Sequence, residues 1–254
     1  MHYGKYATAE IRVMTTQSEQ IVLQLREMLM RGDFEPGEHL QEIPISKLLN
    51  VSRTPVRLAL AALAQDRLLV YKPQRGFMVR EFSTKEIVDA VMVRGELEGM
   101  ACRLVAENGL STECRKALHE TLEQTRNLIE QGGIRTESYA KWFELNGIFH
   151  DLIVQESGNE TIVNLIEQIN KVPLAAAASF AATSGNSASV EFVTARAQFE
   201  HEQIVDAIEH GQAHRAQSLM SEHVFLSAKG KRRLVEKLRT QREEVPMLKL
   251  VSSS

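Results

Sequence analysis

The spacing of apolar residues predicts three helices in the first part of the chain. Between residues 19 and 30, apolar side chains recur every three or four positions, as on the buried face of an amphipathic helix. A short helical segment at residues 45–50 is followed by a third apolar stripe, which runs from Val56 to Leu63. A short helix joined by a tight turn to a second one is the pattern of a helix-turn-helix.

A strand pattern follows these helices. Residues 68–71 and 77–80 are short, mainly apolar runs, and residues 72–76 between them contain the Pro and Gly that are typical of turns. The sequence therefore predicts a β-hairpin with a basic, glycine-containing tip, which completes a winged helix-turn-helix.

From residue 83 onward the spacing is helical, and no strand pattern is found after residue 80. Ser83 and Glu86 form a capping-box pattern, and Pro173 predicts a kink. Helices are expected at residues 83–107, 111–130, 137–156, 159–182, 190–209 and 212–228. The predicted fold is mainly α: an N-terminal winged helix-turn-helix with a small β-hairpin wing, and a C-terminal all-α antiparallel helical bundle.

These patterns divide the chain into four segments with distinct expected roles. They are a mobile N-terminal arm at residues 1–18, a winged helix-turn-helix domain at 19–81, a helical domain at 82–230 and a solvated tail at 231–254.

Charge is distributed unevenly along the chain. Residues 44–80 contain seven Lys or Arg and one acid, whereas residues 81–254 contain 19 Lys or Arg and 25 Asp or Glu, although the net charge is only −3. A basic module on an acidic body suits a protein that docks on DNA with one end. No apolar run predicts a membrane span or signal peptide, and the two cysteines, Cys102 and Cys114, fit a reduced cytoplasm.

The start of the third helix carries the chemistry of DNA recognition. Arg53 and Arg57 are four residues apart and share one helix face, and arginine forms paired hydrogen bonds with phosphate and with the guanine edge. The Ser52 hydroxyl is expected to cap the helix and Pro55 to occupy its first turn. Arg75 in the wing can contact the DNA backbone or the minor groove. The alternative is a helix-turn-helix that binds no DNA.

Three histidines on three predicted helices of the second domain lie on inward-facing stripes. His150 shares a helix face with Asn146, four residues earlier, and His201 and His223 lie among apolar residues. Bundles build metal sites from side chains on facing helices, and imidazole suits Zn²⁺ and Ni²⁺. The spacing is equally compatible with core histidines that are held by hydrogen bonds.

The first domain resembles the GntR family of bacterial transcription regulators. The resemblance rests on Pro36-Gly37-Glu38-x-Leu40, Val51-Ser52-Arg53-Thr54-Pro55-Val56-Arg57, Ala59-Leu60 and Arg75-Gly76-Phe77. It implies that Arg53, Thr54 and Arg57 contact DNA and that Gly76 lies at the wing tip. Leu58 replaces the Glu that the family usually has there. The expected DNA-binding set is Ser52, Arg53, Thr54, Pro55, Arg57, Arg75 and Gly76.

The second domain resembles the FCD ligand-sensing domain of the FadR branch of that family. The matching segments are Val93-Arg94-x-x-Leu97-Glu98, Asn146-x-x-Phe149-His150, Gly158-Asn159, Glu200-His201-x-x-Ile204-x-x-Ala207-Ile208 and Met220-x-x-His223. The resemblance implies an effector-binding and dimerisation domain with a divalent metal, Zn²⁺ or Ni²⁺. Its expected ligands are Asn146, His150, His201 and His223.

Arg94 and Trp142 are the expected effector-binding residues. Arg94 would bind a carboxylate of a small organic acid if its side chain enters the metal cavity; the alternative is a salt bridge with Glu98, four residues on. Trp142, one turn before Asn146, either lines that cavity or packs in the core.

These features predict a cytoplasmic, homodimeric transcription regulator that binds no membrane. A repressor of this kind binds a near-palindromic operator in double-stranded DNA and is released by a small organic acid. In one alternative the metal itself is the signal. In another the helical domain is a metal-dependent enzyme, which needs a general base near the metal. Glu200 and Glu202 flank His201 but point to other helix faces, so we expect no catalytic residues.

Overall fold

The computed structural model describes residues 16–130, 136–176, 187–241 and 250–252. The chain forms two compact units, residues 1–80 and 81–254. The first unit contains α1 (Gln17–Met30), β1 (His39–Leu40), α2 (Glu42–Leu49), α3 (Arg53–Gln65), β2 (Leu69–Lys72) and β3 (Gly76–Val79).

Helix α1 begins at Gln17 because Thr16 caps it. The Thr16 hydroxyl accepts a hydrogen bond from the backbone N–H of Glu19, and the Glu19 carboxylate accepts one from the backbone N–H of Thr16. Both halves of a capping box are therefore present. The prediction of an arm through residue 18 was two residues too long at this end, and residues 1–15 lie outside the described residues.

Helices α2 and α3 form the helix-turn-helix. The backbone turns at Asn50, which has a φ of 52°, a left-handed conformation that Asn tolerates better than most residues. Helix α3 buries Val56 and Leu60 in the core of the unit and contacts α1. Within the described residues, the Ser52 hydroxyl makes no capping hydrogen bond, contrary to the prediction. Ser52 is exposed, so water can satisfy the N–H groups of this helix end.

The wing is an antiparallel hairpin of β2 and β3, and β1 pairs with the other edge of β3. Leu69 lies opposite Val79 at the base of the hairpin, and both side chains are buried. Gln74 and Gly76 have φ values of 65° and 76° at the tip, which lets the chain reverse within a few residues.

The second unit is mainly helical. The helix that begins after Ser83 is capped as predicted, because the Ser83 hydroxyl accepts a hydrogen bond from the Glu86 N–H. No described helix is long and apolar enough to cross a membrane. Its elements are β4 (Phe82–Ser83), α4 (Thr84–Asn108), α5 (Thr112–Glu130), α6 (Thr136–Glu156), α7 (Glu160–Asn170), α8 (Ser187–Glu209), α9 (Ala213–Gln241) and β5 (Val251–Ser252).

Helix α4 packs closely on α9 and also contacts α6, α7 and α8. Two glycines permit the close approach. A Cβ added at Gly95 would lie 3.0 Å from Cβ of Val224, and one added at Gly99 would lie 2.5 Å from Oγ of Ser221. These contacts bring the central turns of α4 against the part of α9 that carries His223.

Helix α7 is shorter than predicted. It ends at Asn170, whereas the sequence predicted a helix to residue 182 with a kink at Pro173. The chain instead leaves the helix in turns, with Leu174 at a φ of 63°. Pro173 disfavours the helical conformation in the residue before it, so the helix stops rather than bends. Residues 177–182 of the predicted helix lie outside the described residues.

The described residues after 228 differ from the predicted solvated tail. Helix α9 continues to Gln241 instead of ending near residue 228, and Lys231 and Val251 are buried rather than solvated. Strand β5 pairs in parallel with β4, so the prediction of no strand after residue 80 was wrong. Strands of two residues are too short for an alternating pattern to reveal.

Candidate nucleic-acid interface and metal centre

The first turn of α3 presents basic side chains to solvent. Arg53 and Arg57 are both exposed and, four residues apart, lie on one side of the helix. Nη2 of Arg53 lies 3.4 Å from Oε2 of Glu42, but its side chain is still 65% exposed. Such a surface ion pair is weak, so Arg53 can exchange Glu42 for another anion. Thr54 is exposed beside it, whereas Pro55 is buried.

The tip of the wing presents a further arginine. Arg75 is exposed, and Gly76 after it is half-buried. Nδ1 of His39 donates a hydrogen bond of 2.8 Å to the carbonyl of Arg75, which fastens the tip to β1. The first unit thus exposes arginines both on a helix end and on a hairpin tip.

Three histidines converge inside the second unit. His150 of α6, His201 of α8 and His223 of α9 are 2%, 4% and 7% exposed. Each ring offers a nitrogen that lies within 4.8 Å of the nitrogens of the other two. The structure therefore brings together the three imidazoles that the sequence placed on separate inward stripes.

The spacing of one pair of these nitrogens fits two imidazoles on one metal ion. Nε2 of His201 lies 3.2 Å from Nε2 of His223. Two imidazole nitrogens on one Zn²⁺, each about 2.0–2.1 Å from the ion at a tetrahedral angle, are about 3.3–3.4 Å apart. The donor set also fits, because imidazole is a common ligand of Zn²⁺ and Ni²⁺.

Two of the rings are oriented by carboxylates. Nδ1 of His150 donates to Oε2 of Glu98 at 2.9 Å, and Nδ1 of His223 donates to Oε2 of Glu200 at 2.7 Å. A carboxylate at Nδ1 holds the proton there and leaves the lone pair of Nε2 free for a metal. Sequence reasoning missed the Glu200 contact because it joins two helices, and no local spacing signals it.

Arg94 is part of the same buried network. Its Nε lies 3.1 Å from Oε1 of Glu98, and both side chains are 2% exposed. Burial would raise the pKa of Glu98, but the charge of Arg94 and the hydrogen bond from His150 instead lower that pKa to about 2. Of the two alternatives for Arg94, the salt bridge with Glu98 is the one observed, and it is buried.

The environment of His201 keeps its ring neutral. Burial lowers the pKa of His201 well below its ordinary value, and His223 and His150 lower it further. The ring also stacks on Phe149, with the centroids 3.9 Å apart. A neutral imidazole is the form that binds a metal.

Asn146 and Trp142 lie on α6, one and two turns before His150. Asn146 is half-buried. Trp142 is buried and packs with Ala197 in a small apolar cluster. Trp142 therefore has a packing contact of its own, apart from any role in a cavity.

Comparison with known proteins relates both units to regulators. Residues 17–79 match the family described as bacterial regulatory proteins, gntR family, and residues 89–225 match the FCD domain. An uncharacterized HTH-type transcriptional regulator of Bacillus subtilis, YdhC, is 34% identical over 59% of this chain, which spans 65% of that relative. The HTH-type transcriptional repressor RspR of Escherichia coli is 31% identical over 65% of this chain and 72% of its own length.

A solved structure shares the fold. Escherichia coli McbR/YncC superposes with a TM-score of 0.61 over 91% of this chain and 100% of that chain, at 22% identity. The matched family consists of transcription regulators rather than enzymes, so the enzyme alternative is set aside. The chain belongs to the GntR family of bacterial regulatory proteins and carries an FCD domain.

Proposed function

We propose that this chain is a cytoplasmic repressor that binds a near-palindromic operator as a homodimer and is released by a small organic acid. One observation carries the proposal: an exposed arginine pair at the start of α3 and a buried three-histidine cluster occur in one chain. The first suits double-stranded DNA, and the second suits a metal with a bound acid. The similar protein RspR is named a transcriptional repressor, which supports repression rather than activation.

Base reading is assigned to the exposed arginines of α3. Arg53 and Arg57 would donate paired hydrogen bonds to guanine edges in the major groove. Ser52 and Thr54, exposed at the same helix end, would contact phosphates, which position the helix without reading sequence. Arg75 would contact the minor groove or the backbone beside it.

Two further residues of the predicted DNA-binding set would act through the backbone. Pro55 is buried, so it would shape the first turn of α3 rather than contact a base. Gly76, with its φ of 76°, would let the wing tip approach the DNA closely.

The histidine cluster is assigned to one divalent ion per chain, Zn²⁺ or Ni²⁺. His150, His201 and His223 would supply imidazole nitrogens, and the Asn146 amide oxygen would be a fourth ligand. When bound, such an ion could accept the carboxylate of a small acid at a coordination position beyond these four ligands.

Arg94 would provide a second contact to the acid. It is held by Glu98 and by the carbonyl of Ala175, and a ligand carboxylate would replace the neutral carbonyl, which is the weaker acceptor. Trp142, buried on the same helix as Asn146, would shape one wall.

A second copy of the chain would complete the DNA-binding unit, since a near-palindrome has two half-sites. Phe192 and Phe199 support a dimer, because they are seven residues apart on α8 and are 68% and 62% exposed. Large apolar side chains on one helix face are typical of an interface. The acid would act by binding one arrangement of the dimer more tightly than the other.

The proposal is tested with purified full-length protein and a random-sequence duplex library. We expect enrichment of a near-palindromic sequence, with a Kd of about 10⁻⁸–10⁻¹¹ M at physiological salt, and about one metal ion per chain by mass spectrometry. Failure to enrich any sequence would contradict the regulator function. Operator affinity that follows free metal, with no organic acid present, would favour the metal as the signal.

Substitution of a metal ligand should affect the function of the second unit and leave DNA binding by the first unit intact. His201→Ala should lose the ion and weaken release by a panel of organic acids, but it should leave operator affinity in the absence of acid largely unchanged. Unaltered metal content in this variant would show that the assigned ligand set is wrong.

A further inference from the structure

Two basic side chains from different helices converge on three consecutive carbonyls after α7. Nζ of Lys231, on α9, donates hydrogen bonds to the carbonyls of Leu174 at 2.5 Å and Ala176 at 3.0 Å. Nη1 of Arg94, on α4, donates to the carbonyl of Ala175 between them. Lys231 and Arg94 are 5% and 2% exposed, so two basic groups lie side by side in the core.

Among the described residues, the acid in contact with this pair is Glu98, which it shares with His150. Glu98 faces Arg94 at 3.1 Å, but its other oxygen already accepts the hydrogen bond of His150. Burial lowers the pKa of Lys231 well below its ordinary value, and Arg94 lowers it further while Glu98 opposes the effect. Burial therefore disfavours the charged form of Lys231, and a carboxylate entering beside Lys231 and Arg94 would favour that form and be held by both side chains.

The segment whose carbonyls contact Lys231 and Arg94 has a strained backbone, and a ligand can replace its hydrogen bonds to these two residues. Leu174 has a φ of 63°, a left-handed conformation that is unfavourable for a bulky side chain. Its carbonyl and those of its neighbours are neutral acceptors, whereas a carboxylate forms stronger, charge-assisted hydrogen bonds with Lys and Arg. A carboxylate can therefore compete with the carbonyls of residues 174–176 for Lys231 and Arg94.

We propose that Lys231 and Arg94 form a binding pair for one carboxylate of a small dicarboxylic acid, whose other carboxylate binds at the histidine cluster. Glu98 contacts both Arg94 and His150, which places the two binding points within reach of one small molecule. Binding displaces the carbonyls of residues 174–176 from the pair.

This inference rests on the proposed function, in which the effector is a small organic acid. It narrows the effector to dicarboxylic acids. Lys231 lies after residues 89–225, the part that matches the FCD domain. Arg94 lies within that part, so the pair joins a residue inside the matched part to one beyond it.

The test compares acids of matched length on the zinc-loaded full chain by isothermal titration calorimetry. The probes are malonate, succinate, glutarate and adipate, each against the monocarboxylate with the same number of carbons. We expect at least one dicarboxylate to bind at least ten-fold more tightly than its monocarboxylate. Lys231→Met should reduce that affinity to the monocarboxylate level, whereas Lys229→Met, an exposed position of the same helix, should retain it.

Two outcomes overturn the inference: no dicarboxylate exceeds its monocarboxylate, or Lys231→Met retains the full advantage. If monocarboxylates still bind and zinc content is normal, the inference alone fails and the proposed function stands. If no acid of either kind binds, the acid-responsive function fails with it.

Hydrogen exchange of the wild-type protein tests whether a bound dicarboxylate displaces residues 174–176. This test does not depend on whether Lys231→Met folds. The N–H of Val172 donates to the carbonyl of Ile169, and the N–H of Ala175 donates to that of Val172. Saturating dicarboxylate should speed exchange in the peptide that covers residues 171–176. Unchanged exchange with a tightly bound dicarboxylate would contradict displacement of the segment.

Discussion

Each histidine ring of the cluster has a defined orientation because individual contacts fix it. Glu98 and Glu200 hold Nδ1 of His150 and His223, while Phe149 stacks on His201. The carboxylate contacts lie on α4 and α8, so the geometry of the ligands depends on residues that would not touch the metal. Partners of this kind affect metal affinity nearly as strongly as the ligands themselves.

Glu200→Gln should weaken metal binding while the fold is retained. The amide keeps the size of the side chain but removes the charge that holds the proton on Nδ1 of His223, so we expect affinity to fall by about 10–100-fold. Glu191→Gln, an exposed position of the same helix, is the control and should be neutral. Competition with a chromogenic chelator measures both Kd values, and equal values for the two variants would remove Glu200 from the site.

At the scale of the elements, the crossing of α4 and α9 positions the site. Gly95 lies next to Arg94 on α4, and it faces Val224, which follows His223 on α9. A side chain at this crossing would push the helices apart and separate the groups that they carry.

Gly95→Ala should therefore destabilise the protein despite the better helix propensity of alanine. The added Cβ would lie 3.0 Å from Cβ and Cγ1 of Val224, and overpacking of a core typically costs about 1–3 kcal/mol. Gly230→Ala is a matched control on α9, because a Cβ there meets nothing within 4 Å and should stabilise by about 0.5–1 kcal/mol.

Thermal unfolding measures whether each substitution raises or lowers the stability of the protein. We expect Tm to fall for Gly95→Ala and to rise slightly for Gly230→Ala. A rise for both would mean that the crossing is loose enough to accept a side chain.

Elements whose ends depend on neighbouring residues could be predicted from the sequence. The Ser83 cap is an example, and the hairpin with Gly76 at its tip is another. Features that join distant parts of the chain could not, because no local pattern encodes them. These include the pairing of β4 with β5 and the burial of Lys231 against Leu174. The histidine cluster could be predicted only in part. The apolar spacing of each helix indicated that its histidine faces inward, but it did not indicate which carboxylate the ring contacts.

At the scale of the whole molecule, the basic window at residues 44–80 is followed by a mainly acidic remainder. This asymmetry directs DNA toward the first unit and away from the second. A homodimer would present two such basic surfaces, which fits a two-fold operator.

Phe199→Glu should give a monomer where the wild-type protein forms the proposed dimer. A charge at an exposed aromatic position of α8 would have to be buried without a partner if α8 forms the interface. Leu165→Glu, at a 47% exposed position of α7, is the control and should remain dimeric. Light scattering after size-exclusion chromatography measures the mass, and a dimeric Phe199→Glu would place the interface elsewhere.

The central claim is that α3 reads a specific operator, and the affinity of Arg57→Ala for the selected duplex tests it most directly. A paired arginine–guanine contact contributes about 1–3 kcal/mol, and a dimer would lose two of them. We predict a loss of at least about thirty-fold for the selected duplex, with little change for a random one, and no loss in Arg233→Ala, an exposed arginine of α9. An unchanged specific Kd in Arg57→Ala would contradict the assignment of α3 as the recognition helix.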